Sequence, residues 1–182
     1  SFRRWAWRTQ SGSTTPFAEI AGQTMVPFSH LLWASCWLGI ASDAVGRARA
    51  FVRADARRKP GSVPPTASRL AELSGLLQVM RTGVHDVMRE YESLISGPGG
   101  GQESLSSLGF ALRINNLKIA TSQMAVQVAN QALWICGMAG YKTDSPFSIG
   151  RHVRDSHSAV LMIGNDRIYA TNASLLLVHK DE

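Results

Sequence analysis

Apolar residues recur at every third or fourth position over most of the chain, a spacing that places them on one face of an α-helix. Clusters rich in proline, glycine and serine, such as GPGGG at 97–101, separate these segments and mark helix ends. No stretch after residue 28 shows the alternation that is typical of a β-strand. The pattern predicts helices over residues 29–58, 66–96, 106–138, 148–163 and 166–178.

The third predicted helix carries apolar residues around most of its circumference, so it should lie at the centre of the fold. The three longest predicted helices have roughly thirty residues each, which makes each about 45 Å long. Helices of matched length that are joined by short breaks pack antiparallel. We therefore predict an all-α fold, an antiparallel four-helix bundle over residues 28–182. Its expected buried residues include Leu73, Met80, Val84, Ile119, Val128 and Ile135.

Residues 1–27 mix threonine, serine and glycine with two prolines and show no helical spacing. This segment is predicted to be irregular, as the end of a preceding strand-rich unit or a linker. The chain opens without a methionine and without the basic, apolar and small-residue order of a signal peptide. We expect it to be part of a longer polypeptide.

A chain of 182 residues, 45% apolar and 18% charged, suits one globular domain with a substantial core. The net charge of +6 suggests a nucleic-acid partner, but the nineteen Lys and Arg residues are dispersed and lie in no recognisable binding motif. The apolar run FSHLLWASCWLGIA is too short for a membrane span, which needs about twenty residues. We expect no nucleic-acid or membrane partner.

Cys36 and Cys136 lie in apolar surroundings and far apart in the chain. This setting favours buried free thiols over a disulfide, and with them a reducing, cytoplasmic location. Helical spacing also predicts that Trp33, Trp37 and Trp134 lie in the core, with a stacking platform for a ring as the alternative. On the first helix, the positions expected to face the core are Leu32, Cys36, Gly39, Ile40, Ala44, Ala48 and Phe51.

Most familiar catalytic and ligand-binding motifs are missing from the sequence. GPGGG is not followed by the Lys-Ser or Lys-Thr of a phosphate loop, and no serine lies in a Gly-x-Ser-x-Gly setting. His152 and His157 are five residues apart and point to different sides of a helix, so no metal site is predicted. CGMAG at 136–140 differs from these, because two glycines at a helix end permit a cap and a close backbone approach to another group.

The order of features in the C-terminal part is more specific than any one of them. A helix ends in QALWICGMAGY, a Pro-Phe turn follows at 146–147, and RHVRD and NDRI come next. This order resembles the C-terminal domain of the acyl-CoA dehydrogenase superfamily, over about residues 27–178. The resemblance implies a flavoprotein of three domains, assembled as a dimer or tetramer, with FAD or FMN held between domains and subunits. By position, it implies cofactor contacts from Trp134, Gly137, Met138 and Asn165.

The chain departs from this superfamily at the catalytic base. Where dehydrogenases place the glutamate that abstracts the substrate proton, this chain has Ile163, which is expected to lie in an apolar site. Some members carry the glutamate on the first bundle helix, where this chain has Ser29. Dehydrogenation needs a carboxylate to accept the proton as hydride passes to the flavin. No catalytic residue is therefore assigned.

Three functions stay open from the sequence. The first is an enzyme that oxygenates or oxidises a small molecule with reduced flavin and oxygen, in some cases served by a flavin reductase. The second is an acyl-CoA or acyl-carrier-protein dehydrogenase whose base lies elsewhere. The third is a non-catalytic oligomerisation or binding bundle. Large apolar residues left over from the bundle predict faces for other domains and for subunits of a homo-oligomer; they are Trp5, Trp7, Trp33, Trp37 and Phe110.

Overall fold

A computed structural model describes residues 16–178 of the chain, and between these limits it contains helices and no strand. A π-helical segment at Ala21–Met25 joins the first two helices, and a 3-10 turn at Gln102–Ser106 precedes the fourth. The predicted all-α fold is confirmed. The helices are α1 (Pro16–Ile20), α2 (Val26–Arg58), α3 (Ala67–Ser96), α4 (Leu108–Cys136), α5 (Met138–Tyr141), α6 (Gly150–Leu161) and α7 (Asn165–Leu176).

Helical structure begins earlier than the sequence pattern predicts. Residues 16–25, predicted to be irregular, form α1 and the π-helical segment and continue into α2. Pro27 is the second residue of α2, directly after the π-helical segment, and its missing backbone N–H interrupts the helical hydrogen bonds at this junction. Residues 1–15, with Trp5 and Trp7, lie outside the described residues. The assignment of 1–27 to a preceding unit therefore stays a prediction.

The helical stretch from Pro16 to Arg58 is long and apolar enough, by these two measures alone, to cross a membrane. The same test is passed by core helices of proteins that cross no membrane, and α2 buries ten of its residues, among them Trp37 and Val45, against other helices. Only a third of the most apolar 18-residue segment of this helical stretch is buried, so one apolar face of the helix stays exposed. That face includes Met25, Phe28 and Leu32.

The fourth helix, α4, is central as predicted, because it packs against α2, α3, α6 and α7. The six residues expected in the core, from Leu73 to Ile135, are all buried. One part of the core surrounds Trp37 and Leu73, and a second part surrounds Val84 and Phe110. The helices α2, α3, α4 and α6 therefore form a four-helix bundle in which α4 contacts each of the other three.

Several predictions for individual side chains are wrong. On α2, Ala44 and Ala48 are buried as predicted. Nearer the start of the helix the buried stripe runs through Leu31, Ala34 and Trp37, while Leu32, Cys36 and Gly39 are exposed. Both stripes are apolar, so spacing alone could not choose between them. Trp37 is buried in the core, as its helical spacing predicts, so neither Trp37 nor the buried Phe110 is left over for an interface; Trp33 is half-buried.

Of the two cysteines, only Cys136 is buried as predicted. Its burial at the end of α4 raises the pKa of the thiol to about 11, because the charged thiolate is poorly solvated there. Cys36 lies on the open face of α2. The two thiols therefore differ strongly in their access to solvent.

Candidate functional site

The end of α4 presents an exposed, mostly apolar surface formed by Trp134, Gly137, Met138 and Tyr141, here called the Gly137 surface. Trp134 is 67% exposed, so the prediction that it lies in the core is wrong. Gly137 ends α4 with φ 55° and ψ −136°, a conformation open to glycine and rarely to other residues. A Cβ at Gly137 would meet nothing within 4 Å, so its backbone is open to an approaching ligand.

The second glycine of this segment, Gly140, makes its close approach inside the chain. A Cβ there would lie 2.7 Å from the Cβ of Cys136 and 3.2 Å from Cδ1 of Leu133. The Gly140 carbonyl also accepts a hydrogen bond of 2.7 Å from the Ile149 N–H, which brings the chain back toward α6. Gly140 therefore serves packing, and Gly137 alone offers an open backbone.

The Gly140→Ala variant is expected to lower the free energy of unfolding by about 1–3 kcal/mol, because the added methyl group overfills the space beside Cys136. Urea denaturation measures the change. Gly75→Ala is the matched control, because Gly75 is an exposed position of α3 and a Cβ there would meet nothing within 4 Å. Alanine at this position should raise the free energy of unfolding by at most about 1 kcal/mol. Equal stability of the Gly140→Ala variant and the unsubstituted protein would contradict this account of the turn.

An open groove of about 390 Å³ adjoins the Gly137 surface. Its walls come from α5 and from the Pro-Phe turn, with Met138 and Phe147 as apolar parts and Lys142 and Asp144 as charged parts. The ring of Phe147 meets that of Phe51 edge-on, with centroids 5.5 Å apart, which ties the turn to α2. The groove thus combines apolar and charged lining residues, and one of its apolar residues is fixed against α2.

A second candidate region is the turn between α6 and α7, residues 162–164. Ile163 has φ 46°, in the left-handed region that a β-branched residue rarely adopts. Its side chain is 49% exposed, so the expected apolar burial is wrong for this chain. Leu161 and Met162 are exposed beside it. The turn is therefore apolar, accessible and strained.

A buried lysine lies beneath this turn. The Lys118 side chain on α4 is 0% exposed, and its Nζ donates to Asn165 Oδ1 at 2.7 Å and to the Ala159 carbonyl at 3.3 Å. The same Nζ lies 5.6 Å from the centroid of the Trp37 ring, within the range of a cation–π contact. Burial lowers the pKa of Lys118, since the charged form loses its hydration. No ion pair to Lys118 is found among residues 16–178.

The Asn165 side chain is largely occupied within the chain. Its Oδ1 accepts from Lys118, and its Nδ2 donates to Ser122 Oγ at 3.1 Å. The Ser122 hydroxyl in turn donates to the Ile119 carbonyl at 2.8 Å. One Nδ2 hydrogen of Asn165 is left for a ligand.

His30 on α2 is a further buried polar group, 3% exposed. Its Nδ1 has no hydrogen-bond partner among the described residues. Burial, and then the charge of Lys118, lower the pKa of His30 to about 4, although a hydrogen bond to the Ile114 backbone acts in the opposite direction. The rings of His30, Trp33 and Trp37 follow one another along α2 with centroids 5.7 Å and 6.4 Å apart.

Polar side chains join α7 to α4 along a line here called the polar seam. Asn115 Nδ2 donates to Asn172 Oδ1 at 2.8 Å, and Asn172 Nδ2 donates to Asn116 Oδ1 at 2.9 Å. Gln123 donates to the Tyr169 hydroxyl at 3.2 Å. Since Ile168 is the buried apolar residue of α7, amides contribute much of its attachment.

The structure brings together only three of the four residues predicted to bind a cofactor. Trp134, Gly137 and Met138 share one surface, whereas Asn165 lies against Ser122. From Ser122 to Trp134 the helix advances about 18 Å and turns by about 120°. Asn165 therefore belongs to a different side of α4.

Among the described residues no three His, Cys, Asp or Glu side chains come close enough to hold a metal ion. His152 instead pairs with Asp43, with Nε2 and Oδ2 2.6 Å apart. The guanidinium of Arg47, then the histidine, hold the pKa of Asp43 below its usual range. This pair joins α6 to α2.

The comparisons with known proteins agree with this architecture. Residues 23–173 match the family model described as "Acyl-CoA dehydrogenase, C-terminal domain". The chain belongs to this family. No curated protein sequence matches the chain.

Membership of the acyl-CoA dehydrogenase family confirms the resemblance drawn from the sequence and assigns the chain to a family of flavin oxidoreductases. The sequence pattern does not single out Lys118 or His30, the buried polar residues described above. A signal for Lys118 was present, since NNLKIATS places a lone lysine on a helix that is apolar around most of its surface. No comparable signal marked His30.

Proposed function

We propose that the chain is the C-terminal domain of a flavin-dependent oxidoreductase that oxygenates or oxidises a small molecule with reduced flavin and oxygen. The observation that carries the proposal is Ile163 on the accessible turn at 162–164. Abstraction of a carbon-bound proton needs a base, and an alkyl side chain offers none. In an oxygenation, reduced flavin supplies two electrons, one oxygen atom enters the substrate and the other leaves as water. That reaction needs a dry pocket rather than a base at this turn.

The adenosine end of FAD fits the Gly137 surface by chemistry. The indole of Trp134 and the thioether of Met138 offer apolar contact to the adenine ring, and the open backbone at Gly137 permits close approach of the adjoining phosphates. The redox ring of FAD, or FMN alone, would then lie nearer the turn at 162–164. The cofactor, when bound, supplies the redox chemistry. The chain's own residues bind it, exclude water and fix the turn at 162–164. A homo-oligomer with further subunits against the open face of α2 belongs to the same proposal.

The dehydrogenase alternative has one specific feature in its favour. Asp166 lies in the first turn of α7, three residues beyond Ile163, and its side chain is exposed. A carboxylate there is the nearest acid in the sequence to the turn. It is the base that a thioester dehydrogenase built on this chain would use.

Anaerobic reduction of the bound flavin by saturated acyl-CoA thioesters separates the two functions. In the anaerobic experiment, we expect no loss of flavin absorbance in the unsubstituted full-length protein. In a separate experiment with oxygen present, we expect oxygen uptake that depends on an added flavin reductase and a reduced nicotinamide. Ile163→Glu should not speed that turnover. Because Ile163 is half-exposed, the new carboxylate should cost under about 1 kcal/mol of stability.

Asp166→Asn is the matched control in this experiment. Its oxygen uptake should equal that of the unsubstituted protein. If an acyl-CoA bleaches the flavin of the unsubstituted protein and the Asp166→Asn substitution abolishes this bleaching, the protein is a dehydrogenase with Asp166 as its base. Acyl-CoA oxidation gained by Ile163→Glu would show a dehydrogenase site that has lost its base at 163.

A further inference from the structure

Lys118 contacts the end of one helix and the start of the next. The carbonyl of Ala159 is in the last turn of α6, where carbonyls lack helical partners. Asn165 is the first residue of α7. A cation at a helix C-terminus is favourable, and its donors can bind the last carbonyls. One ammonium group therefore spans the two helices that the turn at 162–164 connects.

The turn that Lys118 spans is strained. Ile163 has φ 46°, and the left-handed region costs an L-residue about 1–2 kcal/mol. Such a conformation persists only when its surroundings hold it in place. The flanking hydrogen bonds are those of Met162 N–H to the Ser158 carbonyl at 3.0 Å and of Arg167 N–H to the Gly164 carbonyl at 3.0 Å. Neither fixes Ile163 itself.

Stability does not explain why a lysine occupies this position. A buried cation without a carboxylate partner is costly, and apolar residues of similar size often replace buried charges with no loss of stability. The ring of Trp37 and the two oxygen acceptors satisfy the ammonium, yet an apolar side chain would need none of them. What an apolar side chain would lose is the link between α6 and α7.

We infer that Lys118 is a positioning residue: it clamps the end of α6 to the start of α7 and thereby sets how the turn carrying Ile163 faces the cofactor and substrate. This inference rests on the proposed function, which puts the turn at the reaction site. Lys118 itself touches neither ligand, since its side chain is fully buried. It acts through Asn165 and Ala159.

Hydrogen exchange of the full-length protein tests the clamp without any ligand. In Lys118→Met the amides of Met162 and Arg167 should exchange at least about tenfold faster than in the unsubstituted protein, while the midpoint of global unfolding stays close to its original value. Lys59→Met, an exposed lysine just beyond α2, is the control and should change neither. Asn165→Asp adds a carboxylate beside Lys118 and should slow the same amides, which keeps the test decisive if Lys118→Met does not fold.

FAD titration, followed by flavin absorbance, supplies the readout that a purely structural residue would not move. Lys118→Met should weaken FAD binding by about tenfold and alter the spectrum of the bound flavin. Unchanged exchange at Met162 and Arg167 would overturn the clamp. Faster exchange with unchanged FAD affinity and spectrum would overturn the positioning role. If the unsubstituted protein binds no FAD, the proposed function fails, whereas the exchange result still decides the clamp.

Discussion

Replacing Trp37 by alanine is expected to lower the free energy of unfolding by about 3–5 kcal/mol, the usual cost of removing a buried tryptophan. Trp37 is 4% exposed and lies in the main core cluster. The substitution also removes the ring that faces Lys118 Nζ and one member of the Trp33–Trp37 stack. The cavity would leave the buried ammonium without its aromatic neighbour.

Chemical denaturation with a constant denaturant slope measures this loss. Trp134→Ala is the matched control, because it removes the same side chain from an exposed position at the end of α4. It should change stability by less than about 1 kcal/mol. Similar losses for the two variants would mean that Trp37 is far more accessible than its position in the core implies.

Acidification should destabilise the protein through His30. The ordinary histidine pKa of 6.5 falls to about 4 in the folded chain, so the unfolded state binds more protons between these values. The stability contributed by neutral His30 is complete above pH 6.5 and is lost as the pH falls through 4. By pH 4 the loss should reach about 3 kcal/mol.

The comparison of His30→Gln with the unsubstituted protein isolates this effect. Glutamine can donate to the Ile114 carbonyl and does not titrate, so the variant should lose about 3 kcal/mol less between pH 7 and pH 4. His85→Gln, at an exposed position of α3, should follow the unsubstituted protein. Parallel pH curves for all three proteins would contradict a buried, neutral His30.

The three long helices α2, α3 and α4 were predictable because their apolar spacing is regular over many turns, whereas α1 and the π-helical segment were not. The face of α2 that is buried could not be predicted, because Leu31 and Leu32 both belong to apolar stripes. Only the packing of α2 against α3 and α4 determines which stripe faces the core. The family's segment order placed Trp134, Gly137 and Met138 correctly at one helix end. The segment order could not show that Asn165 lies on a different side of α4 from these three residues, because the position of Asn165 depends on how α7 packs against α4.

The buried polar groups were harder to predict than the core. A lysine or histidine in a helix is usually solvated, and spacing does not report which one lies under a neighbouring helix. Lys118 is buried because α6, α7 and Trp37 of α2 lie against it, and its hydrogen-bond acceptors come from residues more than forty positions away. The strain at Ile163 could not be predicted either, because it follows from the short connection between α6 and α7.

The polar seam restricts where α7 can dock. A slide of one helical turn, about 5.4 Å, would separate Asn172 from both Asn115 and Asn116 and leave buried amides unpaired, whereas an apolar contact would tolerate it. We therefore expect an insertion or deletion at 162–164 to be absorbed within the turn, because α7 has one register on α4. The accessible surface around Ile163 can change in length and sequence while the bundle keeps its shape, so new chemistry can arise there without a new fold.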